Sequence, residues 1–581
     1  MLTILFVFLS LAPPEWAKDA VWYQIFPERF HNADASNDPT RERIGGPEGW
    51  EITPWTSDWY ARAVWEQKRG YDFRSFATTR RYGGDLQGVI DKLDYLNSLG
   101  VNVLYFNPVF DAISMHKYDA SSYHHIDRHF GPDPVGDVAK MNVEDPIDPK
   151  TWVWTSADSL FLNLIRESHE RGIRVVIDGV FNHTGRDFWA FRDLLEHKQN
   201  SRFKDWFEGV TFNDSLPDGF DYKGWWGYKA LPELKEENGT LISPIRNHIF
   251  DITRRWMDPN GDGDPSDGVD GWRLDVAEDV GLPFWRDWHA HVRSINPNAL
   301  TIAETWTDAA KTHIADDLFD VVMNYRFAYA AHDFFITRSR DARSLDRRLD
   351  TLRTQFPNEV NLSMQNLYDT HDTERLASMI VNKDRRYKQD SKVESIESLY
   401  DVRKPNAPER EIQKLMALFQ YTYVGAPMVY YGTEAGLWGA DDPDDRKPML
   451  WPELTYDDEV NHPFSRRRPR DKVSFDSSLV SWYSQLGAIR AKHVSLRSGA
   501  YQTLLSEEGG TAFAYLRRSG HDLAIVLINN SPDEATLQID ITALPNLPVR
   551  FVDLLSGTTI RRAGTSLHVR MLPYQGMILV P

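Results

Sequence analysis

Gly271-Trp272-Arg273-Leu274-Asp275-Val276-Ala277 is a short apolar run that ends by presenting one arginine and one aspartate. On an extended strand successive side chains alternate between faces, so Arg273 and Asp275 point the same way at its carboxyl end. There the guanidinium can hold the carboxylate ionised and oriented, which marks Asp275 as a nucleophile. Such a pair on its own is more often a structural ion pair, but three other stretches shift the balance. Arg174 to His183 is an apolar strand whose tip carries Asp178, Asn182 and His183; Leu300 to Trp306 ends a β-rich run at Glu304; Asn366 to Asp372 closes on Asp369, His371 and Asp372. Four strands that each end in acid, His or Arg are what a parallel α/β barrel uses, because its active site is assembled at the carboxyl ends of successive strands.

At these residues the sequence resembles the α-amylase superfamily of glycoside hydrolases, whose four signature regions end barrel strands three, four, five and seven. The resemblance runs from about Trp16 to the C-terminus. It implies Asp275 as nucleophile, Glu304 as general acid and base, and Asp372 as a third carboxylate that binds and distorts the sugar. Within the superfamily, Trp272 to Ala277 and Leu231-Pro232-Glu233-Leu234 are most similar to neopullulanase, cyclomaltodextrinase and maltogenic amylase, which carry a Met-Pro-Lys-Leu at the second place.

The chain of 581 residues exceeds one ordinary domain and leaves room for a barrel with attachments. Its 20 Trp and 24 Tyr suit a site that stacks sugar rings, although most aromatics belong to cores. A formal charge of −19 argues against nucleic acid or an anionic membrane as partner and suits a neutral substrate. The absence of cysteine excludes disulfides, thiol catalysis and thiolate metal sites. Leu2 to Ala12 is an apolar run of signal-peptide type, too short to span a bilayer, and is read as a signal remnant against an N-terminal strand packed on the barrel. It points to a periplasmic or secreted protein, with a cytoplasmic one as the alternative.

In chain order, Ala20 to Phe26 is the first strand. The loop behind it carries Asn32, Asp34, Asn37 and Asp38, oxygen ligands at a spacing that suits a hard cation; an Asx-rich turn is the bland reading. The family resemblance completes a structural calcium site with Gly83 and Asp85. Residues 39 to 80 form an insertion dense in Trp, Tyr and Arg. Asp85 to Leu99 shows a helical stripe at Leu86, Val89, Ile90, Leu93 and Leu96, and Val101 to Phe106 is the second strand. The loop after it offers His116 and Tyr118, which can cap and stack one sugar ring, and the family uses residues at these places to hold the reacting glucose. A second insertion, 131 to 156, precedes a helix from about Ala157 to Arg171 and the third strand.

From Asn182 to about His248 the periodicity breaks down and aromatics cluster, too long for a simple connection; the family places its domain B here. Asp258 to Asp264 looks like the opening of an EF-hand loop but lacks the glutamate at loop position twelve, where Val269 stands, so an acidic turn is preferred to a second calcium. Asp320 to Asn324 suits strand six and Met428 to Tyr431 strand eight. Asp442 and Arg446 follow in an Asp-Pro-Asp-x-Arg run that, in neopullulanase-like enzymes, lines the sugar site away from the cleaved bond; a surface ion pair is the plain alternative. After a helix through Ser478 to His493, short β-rich runs such as Ala512 to Leu516, Leu523 to Ile528 and Gly576 to Val580 alternate with turns. The predicted architecture is thus an α/β (β/α)8 TIM barrel in two parts, 20–181 and 251–496, with domain B at 182–250, a C-terminal β-sandwich at 497–581 and an N-terminal segment 1–19.

The resemblance implies a retaining hydrolase of α-glucans, acting on α-1,4 bonds, with α-1,6 bonds as the second type the family cleaves, in starch, pullulan, cyclodextrins or maltooligosaccharides. Asp275 attacks the anomeric carbon and Glu304 protonates the leaving oxygen, then deprotonates the water that releases the glucosyl enzyme. Glu304 must start protonated, so burial and the nearby Asp275 and Asp372 should raise its pKa; His183 and His371, with Arg273, would hold sugar hydroxyls and balance the three acids. A glucosyl-transfer enzyme of the same fold is the alternative, since Glu278-Asp279 stands where neopullulanase-like enzymes usually show Asn-Glu. A non-catalytic sugar-binding protein would show substitutions in the acid triad, and none is seen. Only 19 residues precede Ala20, which leaves no room for the extra N-terminal β domain of those relatives and predicts a monomer with an open cleft, unless the insertions at 39–80 and 131–156 rebuild the wall.

Overall fold

The computed structural model describes residues 12 to 581 apart from 70–71, 390, 394–398, 465, 543 and 545–547. The apolar run read as a signal remnant lies, but for Ala12, outside the described residues. Eight parallel strands make the barrel: β1 Trp22–Ile25, β2 Val103–Phe106, β3 Arg174–Gly179, β4 Gly271–Leu274, β5 Leu300–Ala303, β6 Val321–Val322, β7 Gln365–Asn366 and β8 Ala426–Tyr430. Each strand pairs with the next and β1 also pairs with β8; a parallel bridge from Met323 to Gln365 joins β6 to β7 and closes the ring. These strands are short apolar runs because helices cover their outer faces, so both faces of a strand such as Val103–Phe106 are buried.

Register places the chemistry. Asp178 on β3 lies opposite Arg273 on β4, and Leu274 on β4 opposite Ala303 on β5. Asp275 and Glu304 therefore stand one residue beyond their strands, where the ladder still continues: Asp275 N–H donates to Gly179 O at 3.0 Å and Glu304 N–H to Leu274 O at 3.1 Å.

The helix expected over Asp85 to Leu99 is two, Leu86–Asp91 and Leu93–Ser98, broken where Lys92 leaves helical geometry (φ −107°, ψ 5°). The stripe Leu86, Val89, Leu93 and Leu96 is buried all the same, because the break preserves the face. Strand six is shorter than expected, since Asn324 already caps the next helix through its side chain on Phe327 N–H. The helix after β3's excursion runs Ser243–Met257, so that excursion ends near residue 242, before the boundary at 250 read from the sequence. Within it lie two two-residue ladders, Thr211–Phe212 with Phe220–Asp221 and Glu236–Glu237 with Thr240–Leu241.

The C-terminal part holds β9 Ala500–Ser506, β10 Ala512–Ser519, β11 Asp522–Asn529, β12 Ala535–Asp540, β13 Arg550–Asp553, β14 Thr559–Arg561, β15 Ser566–Met571 and β16 Gly576–Val580. Six form one antiparallel sheet in the order β9-β10-β11-β16-β13-β14, and β12 pairs with β15. Alternation explains the continuous burial of β10 and β11. Phe513, Tyr515, Val526 and Ile528 join the barrel core, while Ala514, Leu516, Ile525 and Leu527 face Leu537, Ile539 and Val569. Among the described residues no helix is long and apolar enough to cross a membrane.

Candidate active site

Arg273 is the hub. Its side chain is fully buried; Nη1 donates to both oxygens of Asp178 at 2.9 Å and to Oδ1 of Asp275 at 3.0 Å, and Nη2 lies 3.0 Å from Oε2 of Glu304. A planar guanidinium spreads its donors over Nη1 and Nη2 and so reaches three carboxylates on adjacent strands, where an ammonium would offer all its donors from a single nitrogen. Glu304 also accepts from Val276 N–H at 2.9 Å and from the Trp306 indole at 2.9 Å. Val276 makes its contact in the left-handed region (φ 41°, ψ 47°), which a β-branched residue seldom enters. That unfavourable backbone turns the peptide after Asp275 toward Glu304 and ties the two acids together. Trp306 is itself stacked on Tyr325, ring centres 3.7 Å apart.

A second network fixes His371. Gln24 donates its amide to His371 Nδ1 at 2.9 Å, so Nε2 carries the ring proton and faces Tyr118 Oη at 2.6 Å and Asp372 Oδ2 at 3.2 Å. Tyr118 in turn donates to Asp178 Oδ2 at 2.9 Å and accepts from Asn107 Nδ2 at 3.1 Å. His116 accepts on Nδ1 from Tyr118 N–H at 3.2 Å, which leaves its proton on Nε2. His183 stacks on Trp225 at 5.3 Å, and its Nε2 is buried with no partner. Arg446 donates Nε to His371 O at 2.8 Å and Nη2 to Asp372 at 3.3 Å, and pairs with Asp442 at 2.9 Å. All ten residues expected to serve catalysis or sugar binding are brought to this one rim.

The electrostatics separate the acids. Burial raises the pKa of Asp275, with Glu304, Asp178 and Asp372 adding to it and Arg273 opposing. Burial also raises Glu304, against Arg273 and with Asp372. Asp372 moves the other way: burial opposes its ionisation, but His371 when charged, Lys388 and Arg446 outweigh it. Burial lowers His183 to about 3 and His116 to about 4, and it lowers His371 as well. The expectation that His183 and His371 help balance the acids is therefore corrected: at neutral pH they offer hydrogen bonds, and the positive charge comes from Arg273, Arg446 and Lys388.

Sequence reasoning missed Tyr105, whose hydroxyl donates to Asp178 at 2.8 Å, together with Gln24, Asn107 and Lys388. Gln24 had a visible signal, as the one polar residue of an apolar strand. Trp226, one of the aromatics expected to cluster after β3, is 78% exposed beside a cleft of about 360 Å³ lined by Lys223, Trp225, Glu233 and Asp279. Asp279, one of the two residues departing from the usual pair, accepts from the Trp225 indole at 2.8 Å.

The rim is not bare on the Asp442 side. The 39–80 insertion packs Trp50, Trp59, Tyr60, Trp65 and Phe76 against Tyr400, Val402 and Ala440, and Trp59 donates its indole to Asp444 at 2.8 Å. Its buried Glu66 and Arg80 pair at 2.7 Å.

The loop read as a cation site brings Asn32, Asp38 and Gly83 together. A Cβ on Gly83 (φ 77°) would lie 1.8 Å from Asp38 Oδ1 and 2.4 Å from Asn32 Nδ2. Asn37 Oδ1 is buried without a partner, and burial lifts the Asp38 carboxyl to about 6. Asp85 accepts from Ala33 and Asp34 N–H on Oδ2 and from Gly88 N–H on Oδ1, which keeps a lone pair, and Asp34 binds Ser36 in a local turn. A buried acid beside an orphaned amide oxygen fits a hard cation. Asp258 to Asp264, by contrast, is built of Asx turns: Asn260 accepts from Asp262 N–H, Asp262 from Asp264 N–H and Asp264 from Ser266 N–H.

The family model for the alpha-amylase catalytic domain matches residues 24–141 and 156–499. This chain belongs to the α-amylase family. It is a glycoside hydrolase of the neopullulanase and cyclomaltodextrinase type. Neopullulanase 2 of Thermoactinomyces vulgaris is 34% identical over 567 residues, 97% of this chain and 78% of that protein. A cyclomaltodextrinase of a Bacillus species is 34% identical over 527 residues, 90% of this chain and 75% of that protein. Among solved structures, a cyclic α-maltosyl-(1→6)-maltose hydrolase from Arthrobacter globiformis superposes with a TM-score of 0.69 at 27% identity, covering 98% of this chain and 99% of its own. The barrel and the C-terminal β structure are thus as the strand pattern predicted, and the α-amylase family is the one that the resemblance implied.

Proposed function

We propose that this α-amylase-family enzyme cleaves α-glucosidic bonds of α-1,4-glucans and cyclodextrins with Asp275 as nucleophile, Glu304 as acid and base, and Asp372 as the ionised group that binds the sugar. The observation that carries the reading is one guanidinium, Arg273, touching both Asp275 and Glu304. Their sharing of one guanidinium suits the close pair of a retaining enzyme, ~5 to 5.5 Å, better than the ~6.5 to 9.5 Å gap that admits a water. Asp275 attacks C1 as the glycosidic C1–O bond breaks, and Glu304 gives its proton to the leaving oxygen. Water then attacks C1, Glu304 takes its proton, and the bond to Asp275 breaks.

In this reading His116, Tyr118 and His371 face the sugar on the nonreducing side, with Asp442 and Arg446 beyond them. The cleft beside Trp225 and Trp226 suits the sugar on the leaving side, and the exposed Trp226 ring gives an acceptor sugar a surface on which to compete with water. Some transfer should therefore accompany hydrolysis. The expected first product of β-cyclodextrin and of soluble starch is the α anomer by proton NMR, with transfer products at high maltotriose; a β anomer would overturn the pairing of Asp275 with Glu304.

We also propose that Asn32, Asn37, Asp38, Asp85 and the Gly83 carbonyl, with Asp34 at the edge, hold a structural calcium ion. Bound calcium would stabilise the native state by mass action, about 2.7 kcal/mol at a hundredfold excess over Kd. Chelation should lower the melting temperature, and calcium should restore it. An unchanged transition, with no calcium found by elemental analysis, would remove the site.

A further inference from the structure

The 131–156 insertion supplies none of the residues described above at the glucan site, and its Glu144 joins two histidines in an arrangement that suits a cation. Tyr123 of the loop after β2 is followed by His124 and His125. His124 Nε2 lies 2.8 Å and His125 Nε2 2.7 Å from the same oxygen, Oε1 of Glu144, which the insertion supplies. The three side chains are 1 to 2% exposed. Their potential ligand atoms all lie within 4.8 Å of one another, and this is the one such group of His, Cys, Asp and Glu found among the described residues.

The far sides of both rings are already held. His125 Nδ1 faces Asp158 Oδ2 at 2.8 Å, and His124 Nδ1 faces the Ser122 hydroxyl at 3.1 Å. A carboxylate facing Nδ1 accepts that nitrogen's N–H and, in the neutral ring, leaves Nε2 as a lone pair, the outer contact that metal-bound histidines generally make. Two Nε2 atoms and one carboxylate oxygen thus converge on one point, which either ring protons or a cation among them can hold together. A fourth donor waits nearby. His248, on the helix Ser243–Met257, is 5% exposed with neither ring nitrogen partnered, and its ring centre is 6.0 Å from that of His124. Trp152 of the insertion stacks on His124 at 4.4 Å and meets His248 edge-on at 5.7 Å, so the pocket is walled by apolar rings. Arg255, 3.2 Å from Asp158, offsets the outer carboxylate and keeps the local charge low.

We propose that His124, His125 and Glu144, with His248 in the fourth position directly or through a water, form a zinc site that fastens the 131–156 insertion to the barrel. Two imidazoles and a carboxylate without thiolate favour a borderline ion such as zinc and disfavour calcium, which wants six to eight oxygens. Zinc bonds of about 2.0 to 2.2 Å require Glu144 to withdraw from the rings by only about half an ångström. Glu144 lies in 142–155, the stretch between the two spans that match the family model, so the site is a property of this chain's insertion.

The test uses the full chain, stripped with a chelator and dialysed against zinc in the presence of excess calcium. Elemental analysis should find about one zinc per chain, and zinc should raise the melting temperature. Glu144→Gln and His124→Gln, each checked for folding by circular dichroism, should lose the zinc and the thermal shift while keeping activity on maltooligosaccharides. Cobalt in place of zinc reads the site without any variant: strong visible bands of a four- or five-coordinate ion are expected. A wild-type chain that retains no zinc and leaves cobalt with its weak aqueous spectrum, or variants that retain as much zinc as wild type, would overturn the proposal and leave a proton-bridged cluster of His125 with Asp158 and Glu144.

Discussion

Asp275→Asn is expected to lower kcat on maltooligosaccharides by several orders of magnitude, on the order of 10⁴-fold or more, with an unchanged fold, because it removes the atom that bonds to C1. Glu304→Gln should cost about 10² to 10⁴-fold on the same substrates, the range of general acid catalysis. The two variants part on α-glucosyl fluoride, whose leaving fluoride needs no protonation. Glu304→Gln should regain much of its first step there, and Asp275→Asn none. The pH profile carries the same distinction. Burial raises both groups, so their protons leave in coupled steps. Activity is lost as pH rises through the step that deprotonates Glu304 and as it falls through the step that protonates Asp275, and Glu304→Gln should flatten the alkaline limb of the first step alone. Near-wild-type rates in either variant, or an alkaline limb that survives Glu304→Gln, would refute the assignment.

The parts of this site that follow from alternation along one strand were readable in the sequence. Arg273 and Asp275 share a face because they are two residues apart, and the acids stand at strand ends because the apolar runs stop there. What needed the folded chain was register and reach. Asp178 is expected at a strand tip, but that it faces Arg273 depends on how β3 and β4 align. Tyr105 sits in a run of four apolar-looking residues, where an aromatic is ordinarily packing, and only the barrel's curvature puts its hydroxyl on Asp178. Histidine charge was misjudged because residue type suggests a cation near acids, while burial decides against it. Trp226 and Lys388 lie on long excursions whose paths no local periodicity describes. Lys388 reaches the site from the loop after β7, pairing with Asp441 at 2.9 Å and lying 5.6 Å from the Trp306 ring centre.

Arg273→Met should be the most damaging single change to the fold as well as to catalysis. It strands Asp178, which is fully buried, and takes from Asp275 and Glu304 the guanidinium that touches them both. Breaking a buried pair by removing one partner costs about 3 to 5 kcal/mol, because the remaining charge stays desolvated. Tyr105 and Tyr118 would still donate to Asp178, yet two neutral hydroxyls do not replace a cation. The acids should then bind protons more tightly, since the charge that opposed their raised pKa values is gone, and Asp275 would be protonated over more of the pH range in which the wild type is active. Arg273→Lys should rescue little, as one ammonium cannot reach three carboxylates from the positions of Nη1 and Nη2. A double-mutant cycle separates stability from chemistry. Adding Asp178→Asn to Arg273→Met removes the stranded charge and should return a good part of the lost stability by urea unfolding, while kcat stays near zero because Asp275 still lacks its cation. If Asp178→Asn restored no stability in the Arg273→Met background, the buried charge would not be what Arg273 neutralises. If Arg273→Met kept wild-type turnover, the shared guanidinium would have no role in holding the catalytic pair.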